Sequence, residues 1–131
     1  MKQITEDYVS YEIAVLLKEK GFPQQEYINT FPYYTQNGNL YFGVINTVRQ
    51  RYYAEAIALT QSLVLKWLRE VHNIHIEIRY VPNRFTDEPS YKAMIWDMSE
   101  EIGKPLPGDI EYMFYETCVN DAIKYTLKNL I

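Results

Sequence analysis

Apolar and polar positions along this chain change period several times, and each change predicts an element. In "SYEIAVLLKEKGF", Val9, Ile13, Leu16 and Leu17 recur at helical spacing, while Lys18, Glu19 and Lys20 fill a polar last turn. Gly21 stands where a helix takes its left-handed closing residue, so a first helix is expected to end there. Ser10 and Thr5 are both suitable N-caps, each followed by acidic residues. Residues 22 to 48 then carry strand formers: Tyr27, Ile28, Thr30, Phe31, Tyr33 and Tyr34, and after "TQNGN" Leu40, Tyr41, Phe42, Val44 and Ile45. Two antiparallel strands joined at Asn37-Gly38 are expected, because a type I′ turn needs positive φ at both central residues. Pro32 cannot donate to a ladder, which puts the first strand at an edge or interrupts it there.

The segment "NTVRQRYYAEAIAL" fits neither period, and the following helix could start near Tyr53 or be capped by Thr60. In "TQSLVLKWLREVHN" the pattern is clear. Leu59, Leu63, Val64, Trp67, Leu68 and Val71 form one stripe, with Gln61, Lys66, Arg69 and Glu70 opposite. After Asn73 the period becomes two, with Ile74, Ile76 and Ile78 on one side and His75, Glu77 and Arg79 on the other. A strand therefore follows the helix with almost no loop. "YKAMIWDM" reads as a fourth strand apolar on both faces, and "SEEIGKPLPGDIE", around residues 99 to 111, as a surface excursion. Val119, Ala122, Ile123, Thr126, Leu127 and Leu130 make a last amphipathic helix, with Thr117 as its expected cap. The order is α-β-β-α-β-β-α. It predicts a single α+β domain over residues 1–131, with helices packed on one face of a mainly antiparallel sheet. The other face is then left to solvent or to a partner.

These segments taken together, "SYEIAVLLKEKGF", "LTQSLVLKWLREVHNIHI" and "AIKYTLKNLI", resemble a group of small proteins from gut Bacteroides-type bacteria and their phages and mobile elements. The likeness covers the three helices and the third strand, and it is densest at Trp67, Leu68, Arg69, Glu70, His72, Asn73, Ile74 and His75. Leu59 stands before Thr60 where the group carries proline, so the resemblance does not fix the start of the second helix. It implies a phage or mobile-element setting. The group has no established activity, so no catalytic residue transfers.

Composition adjusts this picture in three ways. Thirteen tyrosines are the outlier; they suit core edges and interfaces, though codon bias in an AT-rich genome would also enrich them. A formal charge of -4 is the wrong sign for gripping phosphate backbones, so nucleic acid is a disfavoured partner. Cys118 is the only cysteine and forms no internal disulfide, and no apolar run approaches the ~20 residues needed to span a bilayer. "MKQITEDYVSYE" has no leader-like apolar stretch, and a cytoplasmic protein without membrane attachment is expected.

Candidate chemistry is sparse. His72 and His75 are three apart with a helix end expected between them, which aims their rings differently; a junction is the better reading, and no metal site is expected. His72 in a last helical turn can complement the macrodipole and donate to terminal carbonyls. Cys118 near a helix start has no sequence-local base. The carboxylates Asp87, Glu88, Glu100, Glu101, Asp109 and Glu111 fall in loops or at their edges and read as solvated charge. No nucleotide-binding or hydrolase signature is present, and no cofactor is expected. Two surfaces remain for binding: Arg49, Arg51, Tyr52 and Tyr53, where basic and aromatic residues interleave, and the outward row His75, Glu77 and Arg79. The sequence thus favours a non-enzymatic interaction protein that binds a protein partner or self-associates through a tyrosine-rich sheet face or edge strand. Single-stranded nucleic-acid binding is the alternative, and an enzyme with a cleft assembled from distant residues comes third.

Overall fold

The computed structural model describes residues 5–42, 54–82 and 85–131. It is a mixed α+β structure, and the chain divides into two compact units, Met1–Gln61 and Ser62–Ile131. Among the described residues each unit holds one three-stranded antiparallel sheet, so the strands expected to share one sheet lie in two. None of the helices among these residues is long and apolar enough to cross a membrane.

In the first unit, α1 (Tyr11–Glu19) starts at Ser10, whose hydroxyl accepts the Ile13 N–H at 3.4 Å. Its end is a Schellman closure: the Phe22 N–H donates to the Leu17 carbonyl at 2.9 Å and the Gly21 N–H to that of Lys18 at 3.3 Å, with Gly21 at φ 89°. Leu17 and Phe22 are both buried, supplying the apolar contact such a closure favours. Strands β1 (Tyr33–Thr35), β2 (Leu40–Tyr41) and β3 (Ala54–Ile57) pair in the order β2-β1-β3, and α1 lies against β3.

Several expectations change here. Residues 27 to 31 form turns, and the first strand begins only after Pro32. Of the two outcomes expected of Pro32, the strand is interrupted there and is not an edge: β1 is central, and Pro32 sits just outside the ladder and uses only its carbonyl, accepting the Ala58 N–H at 2.8 Å. The hairpin turn is not type I′. Gly38 alone has positive φ, and the Gly38 N–H closes back on the Thr35 carbonyl at 2.9 Å, the longer connection in which one left-handed residue suffices. The ambiguous stretch yields β3, so no helix runs through Ala54 to Ile57; Val44 and Ile45 lie outside the described residues.

Helix α2 (Gln61–His72), which belongs to the second unit from Ser62 onward, is followed after one residue by β4 (Ile74–Tyr80). Asn73 makes the junction in the left-handed region at φ 55°, which its short amide side chain tolerates. Val64 and Leu68 are fully buried, but Val71 is 60% exposed and Gln61 is buried, reversing two assignments of the stripe. The buried side passes from Val64 through Leu68 at i+4 steps to the half-buried His72, whose ring meets Trp67 edge-on at 4.6 Å, and Val71 falls beyond it.

Strands β5 (Tyr91–Asp97) and β6 (Ile102–Pro105) complete the order β4-β5-β6. The sheet carries α3 (Tyr115–Asn129) against β4 and β5. Strand β6 lies inside the segment read as a surface excursion. It carries no alternating pattern because most of its residues remain exposed, and only its pairing with β5 makes it a strand. Helix α3 begins at Tyr115, so Thr117 is inside it; the N-cap is Phe114, extended and without a side-chain hydrogen bond. Ile74, Ile76, Ala93 and Ile95 from the sheet and Val119, Ala122, Ile123 and Leu127 from α3 are buried, each large side chain contributing roughly 1.5–3 kcal/mol.

Candidate functional site

Alternation along β4 and β5 gives the second sheet two chemically different faces. On the face away from the buried isoleucines, cross-strand partners are His75 with Trp96, Glu77 with Met94, and Arg79 with Lys92. The row His75, Glu77 and Arg79 therefore shares one side, as its spacing predicts. Arg79 and Lys92 are like charges directly opposite, and each takes its own carboxylate: Arg79 Nε donates to Glu77 at 2.8 Å, and Lys92 Nζ to Asp109 at 2.9 Å. The Arg79 hydrogen bond holds the Glu77 carboxyl below its usual range, with Trp96 as a further donor, and the bond to Asp109 holds the Lys92 ammonium above its own. Between strand ends lies a shallow concavity of about 400 Å3 lined by His75, Glu77, Trp96, Asp97, Met98 and Glu101.

The opposite face is covered by α3 along its middle and open at both ends. Helix α3 starts beside the Tyr80–Tyr91 pair, where the Tyr80 and Tyr91 rings are 6.0 Å apart and Tyr91 and Tyr115 5.7 Å, both edge-to-face. Tyr80 in this ladder is 62% exposed, and Met113 and Phe114, which precede Tyr115 in the chain, are 52% and 66% exposed. Backbone bonds tie Tyr91 to Tyr112 in both directions at 2.8 and 2.9 Å. The Tyr112 hydroxyl donates to Asp121 at 2.8 Å, and its pKa is raised by burial and by that carboxylate.

At the other end, past the last turns of α3, a groove of about 480 Å3 is lined by Ile74, Ile95 and Ile102. These belong to the cross-strand rows Ile74–Asp97–Ile102 and Ile76–Ile95–Lys104. Asp97, Glu100, Lys104 and Tyr125 also line it.

The two histidines part company, as the helix end between them requires. His72 lines this groove and His75 the shallow concavity on the other face. His72 Nε2 is buried with no hydrogen-bond partner among the described residues, so that atom makes no donation to the terminal carbonyls. Cys118 is fully buried and its thiol is pushed up to about 11, first by burial and then by the Asp121 charge, the opposite of an activated nucleophile. Asp109 and Glu111 are more than solvated charge: with Lys92 and with the Ser90 hydroxyl, which donates to Glu111 at 3.1 Å, they tether the segment before α3 to β5. Asp97 accepts from the Ser99 and Glu100 N–H groups at 2.9 and 3.3 Å and closes the β5–β6 turn.

Arg49, Arg51, Tyr52 and Tyr53 lie outside the described residues. The hairpin tyrosines are divided: Tyr41 on β2 is 52% exposed, its ring stacked 5.9 Å from that of Tyr33. Tyr33 and Tyr34 are consecutive and point to opposite sides of β1, yet both are buried, Tyr34 donating to the Val9 carbonyl at 2.6 Å. Tyr80, Tyr91 and Tyr115 were not singled out by sequence, since nothing local links residues that meet only through β4–β5 pairing and the start of α3. No family model matches the chain, and comparisons with curated proteins and with solved structures return no match either.

Proposed function

We propose that the protein is a non-enzymatic interaction protein that associates with a second copy of itself through the aromatic end of its second sheet. The observation that carries this reading is the Tyr80–Tyr91–Tyr115 ladder with Met113 and Phe114 exposed just before Tyr115 in the chain. Aromatic residues and methionine clustered at one place, with large exposed apolar area, are the composition of an interface centre. The phage or mobile-element setting implied by the Trp67 to His75 resemblance belongs to the same proposal, as does a cytoplasmic location.

Sedimentation equilibrium over a range of concentrations tests it. Wild-type protein is expected to self-associate, and Tyr80→Asp and Phe114→Asp each to leave a monomer with an unchanged circular dichroism spectrum. Both side chains are well exposed, so neither change should unfold the chain. A wild type that stays monomeric at every concentration overturns the proposal, as does association that both variants retain.

A further inference from the structure

The groove at the far end of α3 lies on the same sheet face as the tyrosine ladder but has different chemistry. It exists because α3 lies over β4 and β5 and leaves the edge strand β6 uncovered, so Ile102 stays half exposed beside the helix end. Its volume of about 480 Å3 falls within the roughly 300–1,000 Å3 typical of small-molecule sites; Ile74, Ile95 and Ile102 line it with aliphatic side chains, and Asp97, between Ile74 and Ile102 in the same row, accepts from the Ser99 and Glu100 N–H groups. Lys104 and Glu100 bring opposite charges to its lining, yet neither forms an ion pair with the other or with any described residue. His72 and Tyr125 line it as well.

We infer that this groove binds a small aliphatic zwitterion, an α-amino acid with a branched hydrocarbon side chain. The isoleucines take the side chain, the Lys104 ammonium the ligand carboxylate and the Glu100 carboxylate the ligand ammonium. A ligand with both charges satisfies two groups that do not satisfy each other, and a ligand lacking either charge leaves one of them unmatched. This site is independent of the self-association surface.

The test is titration of the full-length protein with L-leucine, followed by amide chemical shifts, beside three analogues. These are 4-methylpentanoate, which lacks the ammonium, 3-methylbutylamine, which lacks the carboxylate, and glycine, which lacks the hydrocarbon. Leucine is expected to give saturable shifts centred on Ile95, Ile102 and Lys104. Each analogue should bind at least about tenfold more weakly, and Lys104→Gln and Glu100→Gln should each weaken leucine by about tenfold. Both variants change exposed side chains, so their amide spectra should otherwise match wild type, and Tyr80→Asp should bind leucine normally. The inference is overturned by absence of saturable shifts up to about 10 mM leucine. It is also overturned if an analogue binds as well as leucine, or if binding survives both charge removals.

Discussion

Trp96 lies against Gly103: a Cβ placed on Gly103 would come within 2.7 Å of three indole ring carbons, two of them at 2.6 Å. The two residues are register partners on β5 and β6, so the glycine is what lets the indole lie flat across the edge strand. The indole in turn lines the concavity beside His75 and Glu77. Edge-strand glycines are usually weak points, and here the missing side chain is replaced by a neighbour's ring.

Gly103→Ala should therefore cost about 1–3 kcal/mol of stability, the range for forcing atoms into a packed site, because a rigid ring bonded to the central strand must move. Equilibrium denaturation measures the loss, and Trp96 fluorescence reports the displaced ring. In a Trp96→Leu background the penalty should shrink, since a flexible side chain can yield. An equal penalty in both backgrounds would place the strain elsewhere.

Gly21 tests the opposite situation. No atom lies within 4 Å of a Cβ built there, but its φ is 89°. Gly21→Ala should cost roughly 1–2 kcal/mol through backbone strain alone, and Gly21→Asn less, because asparagine tolerates the left-handed region. Thermal melts of the two variants give the ranking, and equal losses would point to a cause other than backbone conformation.

Leu68 and Val71 sit three apart on α2, and their periodicity alone puts both on the buried stripe. Leu68 is fully buried and Val71 60% exposed. Leu68→Ala should lose about 2–5 kcal/mol, whereas Val71→Ala should stay within about 0.5 kcal/mol of wild type. Chemical denaturation distinguishes them. A large loss at Val71 would mean that the stripe is buried as the sequence pattern implies.

What the sequence made legible follows from the range of the signals. The Ser10 cap, the Gly21 closure, the switch from α2 to β4 at Asn73 and the alternation of β4 are written within a few residues each, and all four appear in the structure. Strand β6 depends on pairing with β5, and β3 on pairing with β1, so neither leaves a period of its own. The groove charges Glu100 and Lys104 and the ladder Tyr80, Tyr91 and Tyr115 are brought together only by the sheet and α3, which no local window contains. The row His75, Glu77 and Arg79 was legible because one strand supplies all three; its Trp96 partner was not.

Cys118 provides a prediction linking burial to pH. Its thiol is fully buried in α3 and raised to about 11, mainly by burial, with Asp121 adding to the shift. The protonated form is thus favoured more strongly in the folded than in the unfolded chain. The stabilisation is complete below the unfolded thiol's ordinary value and is lost as pH rises through about 11. Two outcomes follow. Stability should fall in the alkaline limb above the ordinary thiol range, and Cys118→Ala should flatten that part of the profile relative to wild type. At pH 8, alkylation of Cys118 by iodoacetamide should be slow in native buffer and rise in step with the unfolding transition as urea is added. Rapid alkylation of the folded protein at pH 8 would show that α3 opens locally around Cys118, or that the thiol is activated instead of suppressed.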